Sequence, residues 1–218
     1  MRWDEQGRTA VETALNEADV LGLRIGSSAE WCELLVHVLA LPESGPIDPD
    51  ARRILRLNAP ARVRVLLRKS LPDGGFGPAL PLADLAAVEE FFAGLTWSGQ
   101  MYGWRFLDEP ALTADWPAEP SLTVHCGPDT GARELYWFNE CGRTDGGYCI
   151  EGTVSFADLT VLRANGTPVS IADFTADGRR YWQALNSRDE RLSGEAQRVA
   201  QTGTPGWRLY TRASADRG

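Results

Sequence analysis

Residues 134–156, ELYWFNECGRTDGGYCIEGTVSF, decide how the rest of the chain is interpreted. They predict a β-hairpin, because the aromatic and apolar run 135–138 is followed, after a gap, by alternating apolar residues. The gap, 142–147, is polar and rich in glycine, as expected of the loop between two strands. Half of the four cysteines, Cys141 and Cys149, lie at the two bases of this loop. We therefore expect any unusual chemistry of the protein to gather here.

The composition is that of a globular protein, since 218 residues with 43% hydrophobic content can bury a core without disulfide bonds. No apolar run approaches about 18 residues, and the N-terminus has no basic region followed by an apolar one. We therefore expect no membrane span and a cytoplasmic location. The chain has 21 arginines and a single lysine, Lys69. This imbalance favours a bacterial source with a GC-rich genome.

The charges are unevenly distributed along the chain. The net charge of −8 argues against general nucleic-acid binding, which needs a positive face for the phosphates. Residues 51–69, however, hold six arginines and one lysine without an acid, a charge of +7. The rest of the chain then carries 15 basic and 30 acidic residues, or −15. Such segregation indicates a protein that binds a partner through one basic surface.

Strands dominate the first part of the chain. Alternating apolar residues predict strands at 20–25 and 31–39, with a helix over 29–40 as the alternative. Two further strands, 54–57 and 62–68, follow around a turn. A helix with a glycine after its last residue is expected from Asp84 to Ala93. A weaker apolar stripe predicts a short helix at the N-terminus, which ends near Asn16.

The second part is predicted to follow the same order, with a hairpin around Asn165-Gly166 followed by a helix that carries Tyr181, Trp182 and Leu185 on one side. We therefore predict an α+β fold: a largely antiparallel sheet from two β-meanders, each followed by a covering helix. The whole chain, 1–218, is expected to form one domain. Two related halves, 17–96 and 97–190, with a C-terminal helical tail, are a further hypothesis, and chance similarity is the alternative.

No metal or cofactor site is expected. The candidate ligands His125, Cys126, Cys141 and Cys149 lack the paired short spacing that zinc prefers. Buried thiols are the favoured interpretation of the cysteines, with a bridge between Cys141 and Cys149 as the alternative. A cysteine nucleophile would need His125 as its base from a neighbouring strand, because adjacent residues of one strand face opposite ways.

Carboxylates near the hairpin loop are the other catalytic candidates. Glu140, Asp145 and Glu151 surround the loop, where acid–base chemistry by paired carboxylates is conceivable. Carboxylates in such places are more often solvated or paired with arginines such as Arg143. No nucleotide-binding or hydrolase motif occurs anywhere in the sequence.

The basic segment supplies the candidate binding residues. Alternation places Arg62, Arg64 and Arg68 on one face of a strand, and a neighbouring strand with Arg52 or Arg56 would extend the guanidinium surface. The alternative is that these arginines pair with acids on adjacent strands. We therefore expect a soluble, non-catalytic bacterial protein that binds an acidic macromolecular partner. The protein itself would act as an inhibitor, an immunity-type protein or an accessory factor. The second hypothesis is a small enzyme, or a protein with a small-molecule ligand, whose site is near residues 140–151.

Overall fold

The protein, seen in a computed structural model, is described at residues 4–48, 50–99, 101, 105–128 and 133–193. The helices of this described part are α1 (Glu5–Leu15), α2 (Leu85–Ala93) and α3 (Ile171–Ser187). Its strands are β1 (Asp19–Ile25), β2 (Trp31–His37), β3 (Arg52–Asn58), β4 (Arg62–Ser70), β5 (Phe76–Ala79), β6 (Trp97–Ser98), β7 (Leu122–His125), β8 (Arg133–Arg143), β9 (Gly146–Phe156), β10 (Asp158–Arg163) and β11 (Pro168–Val169). The helical tail predicted from the sequence lies outside the described residues.

The predicted hairpin consists of β8 and β9, which pair along their full length. The loop is shorter than expected over 142–147, because the pairing continues to Arg143 and Gly146 and leaves only Thr144 and Asp145 between the strands. Gly146 has a φ of +138°, which a residue with a side chain rarely adopts. The glycines that suggested a long loop therefore belong to a tight turn and to the strands beside it.

The strands form two antiparallel sheets. The first sheet has the order β1-β2-β3-β10-β11, and the second has the order β5-β4-β9-β8-β6, with β7 also paired to β4. The predicted α+β class is confirmed. The finer arrangement of two meanders, each with its own helix, is not confirmed, because each sheet combines strands from the first and second parts of the chain.

The chain passes directly from one sheet to the other at two corners. One corner lies between β3 and β4, where Ala59 has a φ of +46°. The other lies at Ala157, between β9 and β10. The prediction that β3 and β4 are neighbours around a turn is therefore wrong: β3 pairs with β2 and β10, whereas β4 pairs with β9. Strands that switch sheets at corners are typical of sheets packed at a large angle.

The inner faces of both sheets and side chains of all three described helices share one hydrophobic core. Trp137 of β8 is its largest fully buried side chain. Its indole lies on Gly152 of β9, where a Cβ atom would come within 2.3 Å of the ring. Phe92 of α2 packs against the same indole, with the ring centroids 6.0 Å apart. The hairpin is thus fixed to the core by its inner face, and its outer face is left for other contacts.

The helices begin where the sequence signals place them. Asp84 caps α2 by accepting a hydrogen bond from the backbone N–H of Ala87, and Gly94 follows the last helical residue. Ser170 caps α3 in the same way. In α3, Tyr181 is buried as expected but Leu185 is 42% exposed. The buried stripe of α3 therefore runs through small residues as well as through aromatic ones.

Candidate functional site

Three of the four predicted binding arginines lie together on the outer face of the second sheet. Arg62, Arg64 and Arg68 alternate along β4 with the core residues of that strand. On β9, their direct neighbours are Ser155, Thr153 and Cys149. This outer face also carries Leu66 of β4, which is fully buried, and side chains from β7, β8 and β9: Thr123, His125, Glu134, Tyr136, Phe138, Glu140 and Glu151.

Arg56 lies in the first sheet and does not extend this surface. Its guanidinium forms an ion pair with the fully buried Glu33, 2.7 Å between Nη2 and Oε1, and Arg24 pairs with the other oxygen of the same carboxylate. Both arginines also lie over the ring of Trp31, at 5.3 and 5.4 Å from its centroid. The expectation of one continuous guanidinium surface is therefore wrong for Arg56, because the chain turns into the other sheet between β3 and β4.

Glu151 is the centre of the outer face. It is 6% exposed, and of the two states expected for carboxylates near the loop, solvated or paired with an arginine, it has the second, with Arg68 as its partner. Tyr136 donates its hydroxyl hydrogen to Oε2 at 2.8 Å, and the indole Nε1 of Trp116 donates to the same oxygen at 3.2 Å. Arg68 donates to Oε1 and lies over the ring of Phe76. The carboxylate therefore has donors at both oxygens and acts as a structural acceptor.

The electrostatics of this cluster disfavour nucleophilic chemistry by its phenol and its thiol. Burial, together with the negative charge and the hydrogen bond of Glu151, raises the pKa of the Tyr136 hydroxyl. Burial, followed by the charge of Glu151, raises the pKa of the Cys149 thiol to about 12. A thiol with such a pKa is protonated near neutral pH and is a weak nucleophile. The cluster thus orders the face and keeps its thiol protonated near neutral pH.

Arg64 is the cation of this face that has no ion pair within the described part of the chain. Its Cζ atom lies 4.8 Å from the centroid of the Trp116 ring, an arrangement in which the guanidinium is held over the aromatic face. Trp116 itself is fixed from the other side by its hydrogen bond to Glu151. Arg64 is half-buried, and its guanidinium is thus positioned without an acidic partner among the described residues.

Arg62 is only loosely paired. Its Nη2 atom lies 3.6 Å from Oε1 of Glu134, beyond hydrogen-bond distance, and its side chain is 40% exposed. Neither the Nε of Arg62 nor that Glu134 oxygen has a hydrogen-bond partner among the described residues. Arg62 and Arg64 therefore differ from Arg68, whose charge is held by a buried carboxylate.

The cysteine and histidine candidates do not form a site. Cys141 lies on the core face of β8 and Cys149 on the outer face of β9, and both are free thiols, so the alternative of a bridge is wrong. His125 is opposite Arg62, which pairs with Ser155 of β9. Cys149 is six residues from Ser155, about 20 Å along the strand at the usual rise per residue. The separation excludes His125 as a base for Cys149.

Within the described residues, no group of three or more histidine, cysteine, aspartate or glutamate side chains could hold a metal ion. The same part of the chain contains no helix with both the length and the apolar character to span a membrane. Comparison of the chain with protein-family models, curated proteins and solved structures finds no match.

Sequence reasoning missed Trp116. It lies after the short 3-10 helix Pro110–Thr113, in a segment whose prolines and alanines indicate a linker. Instead, this segment brings its one tryptophan onto the outer face between Arg64 and Glu151. The only available signal was a tryptophan within a segment of mostly prolines and alanines, because such a large side chain is seldom left without a contact.

Proposed function

We propose that the protein is a non-catalytic binding protein, and that an acidic segment of a protein partner docks on the outer face of the second sheet. The observation that carries the proposal is the guanidinium of Arg64, held over Trp116 without an acidic partner among the described residues. Arginine and tryptophan are the residues most often found at the energetic centres of protein interfaces. The cytoplasmic location and bacterial source remain predictions from the sequence.

The charges around Arg64 favour a short acidic segment over an extended polyanion. On the same face, Glu134, Glu140 and Glu151 balance the charges of Arg62, Arg64 and Arg68. A polyanion would therefore meet negative charge wherever it extended beyond the two accessible arginines. One or two partner carboxylates could instead form bidentate hydrogen bonds with Arg62 and Arg64.

The aromatic side chains of the face supply the second part of the proposed interface. Tyr136 and Phe138 are half-buried neighbours on β8, with ring centroids 6.2 Å apart. Trp116 is half-buried as well. These rings are held by the sheet or by Glu151, so a partner would bind a surface that loses little conformational entropy. The hypothesis of an enzyme at residues 140–151 has no comparable support in this geometry.

The experiment is affinity capture from a lysate of the source organism, with the bound proteins quantified by mass spectrometry. We would compare the unaltered protein with the double variant Arg62→Gln/Arg64→Gln. Arg68 is left in place, because its removal would leave Glu151 buried without its cation. Arg52→Gln is the matched control, since Arg52 is also on a strand but lies in the first sheet and pairs with Asp50.

We expect at least one protein to be captured by the unaltered chain and by the Arg52→Gln control but lost with the double variant. Loss of one such interfacial arginine typically weakens binding by about 2 kcal/mol, or roughly 30-fold. Added salt should weaken the capture. Capture of the same proteins by all three forms, or of none by the unaltered chain, would contradict the proposal.

A further inference from the structure

A pocket of about 340 Å³ lies at the turn end of the hairpin, on the side opposite to the proposed interface. Its volume is at the lower end of the range for small-molecule sites. The walls are apolar where they come from β4 and residues 80–82, mixed where they come from α2, and polar where they come from the hairpin. The apolar residues include Leu67, Leu80, Leu82 and Phe91, and the polar ones are Glu90, Arg143, Asp145 and Tyr148.

Arg143 is the one cation that lines this pocket. Its guanidinium lies over the ring of Phe91, 5.1 Å from the centroid, and Nη1 donates to the Phe91 carbonyl at the long distance of 3.4 Å. The nearest carboxylate, that of Asp145, is 3.9 Å from Nε. Most of the five N–H donors of this arginine are therefore not used by the described residues.

Gly94 makes room for this guanidinium. Its φ of −90° is open to any residue, so the backbone conformation does not require a glycine. A Cβ atom at this position would, however, come within 2.9 Å of the Arg143 Cζ atom. The backbone at Gly94 and the ring of Phe91 both lie close to the planar guanidinium of Arg143, and together they hold it at the pocket.

The acids of the pocket limit the charge of a ligand. Asp145 accepts a hydrogen bond from the Tyr148 hydroxyl at 2.6 Å, and this bond, together with the nearby cations, lowers the pKa of its carboxyl. Glu90 is exposed at the rim. Two carboxylates beside one guanidinium disfavour a ligand with several negative charges, whereas a single carboxylate can bind the accessible side of Arg143.

We propose that this pocket binds a small monocarboxylate with an apolar or aromatic body. The carboxylate forms a bidentate pair with Arg143, and the body packs against Leu80, Leu82 and Phe91. This site is separate from the proposed partner surface, so either proposal can fail without the other. No bond is made or broken, because the pocket brings no reactive group to the ligand.

The test is a titration of the full chain, labelled with ¹⁵N, with a panel of aliphatic and aromatic monocarboxylates and the neutral amide of each. We expect at least one acid to bind with a low-millimolar Kd or tighter and to shift the signals of residues around Phe91 and Tyr148. The matching amide should bind at least about tenfold more weakly, as expected for loss of a hydrogen bond to a charged group. Equal binding of acid and amide, or saturation by no acid, would overturn the proposal.

Two variants test the role of Arg143 while the fold is followed by the same spectra. Arg143→Gln should weaken the acid at least about tenfold and leave the amide unchanged. Gly94→Ala keeps every charge but displaces the guanidinium, and it should also weaken the acid. Arg105→Gln is the control, because Arg105 is exposed and lies at the other end of β8. An affinity that is unchanged in folded Arg143→Gln would overturn the proposal.

Discussion

Replacement of Glu151 by glutamine should destabilise the protein strongly, although the side chain keeps its shape. The carboxylate is 6% exposed and accepts hydrogen bonds from Arg68, Tyr136 and Trp116. A glutamine has one acceptor oxygen, and its NH₂ group would face at least one of these donors. The guanidinium of Arg68 would also lose its counter-charge. The whole outer face depends on this side chain.

The magnitude follows from the burial of the two partners. Removal of one member of a buried ion pair costs about 3–5 kcal/mol. Because the Arg68 side chain is 25% exposed, water can recover part of this loss, and we expect about 2–3 kcal/mol. For a chain of this length, each kcal/mol lowers the melting temperature by about 2–4 °C.

The assay is urea unfolding followed by tryptophan fluorescence, with Glu134→Gln as the matched control. Glu134 is on the same face and also pairs with an arginine, but its pair with Arg62 is 3.6 Å long and partly exposed. We expect a loss below about 0.5 kcal/mol for this control. Similar losses for the two variants, or less than about 1 kcal/mol for Glu151→Gln, would refute the central place of Glu151.

Two further predictions concern the packing of glycine and the burial of an acid. Gly152→Ala should lower the free energy of unfolding by about 1–3 kcal/mol, because its methyl group would overlap the fully buried Trp137. Gly142→Ala should lower it less, because Trp97, which the methyl group would contact there, is 54% exposed and can move. Equal losses of stability in urea unfolding would contradict this difference. Burial raises the pKa of Asp19 to about 7, so the folded state holds this proton more tightly than the unfolded chain, and stability should fall as pH rises from about 4 to about 7. Asp19→Asn should flatten that fall, and an unchanged pH profile of unfolding would argue against it.

The elements that could be predicted from the sequence are those fixed by neighbouring residues. Alternation along 31–39 indicated the strand β2 against a helical alternative, and the structure confirms the strand. Asp84 and Gly94 marked the two ends of α2 because capping is a local interaction. The strands of the central hairpin were predicted for the same reason, although the length of their turn was not.

The sheet order could not be predicted, because it depends on contacts between distant parts of the chain. The apolar face of β4 would suit any neighbouring strand, and nothing local distinguishes β9 from β3 as its partner. The corner after Asn58 therefore separated Arg56 from the other candidate arginines without a visible signal. The burial of Glu151 likewise depends on Trp116, which reaches it across 35 residues of sequence.

The most direct test of the proposed interface is photo-crosslinking from single positions of the otherwise unaltered protein. A crosslinking amino acid at Thr123, which is exposed and directly opposite Arg64 on β7, would lie beside the proposed docking surface without removing a charge. The same amino acid at Leu185, which is exposed on α3, is the control. We predict a crosslinked protein partner from position 123 that is absent from position 185. A partner crosslinked only from position 185, or equally from both, would contradict an interface centred on Arg64.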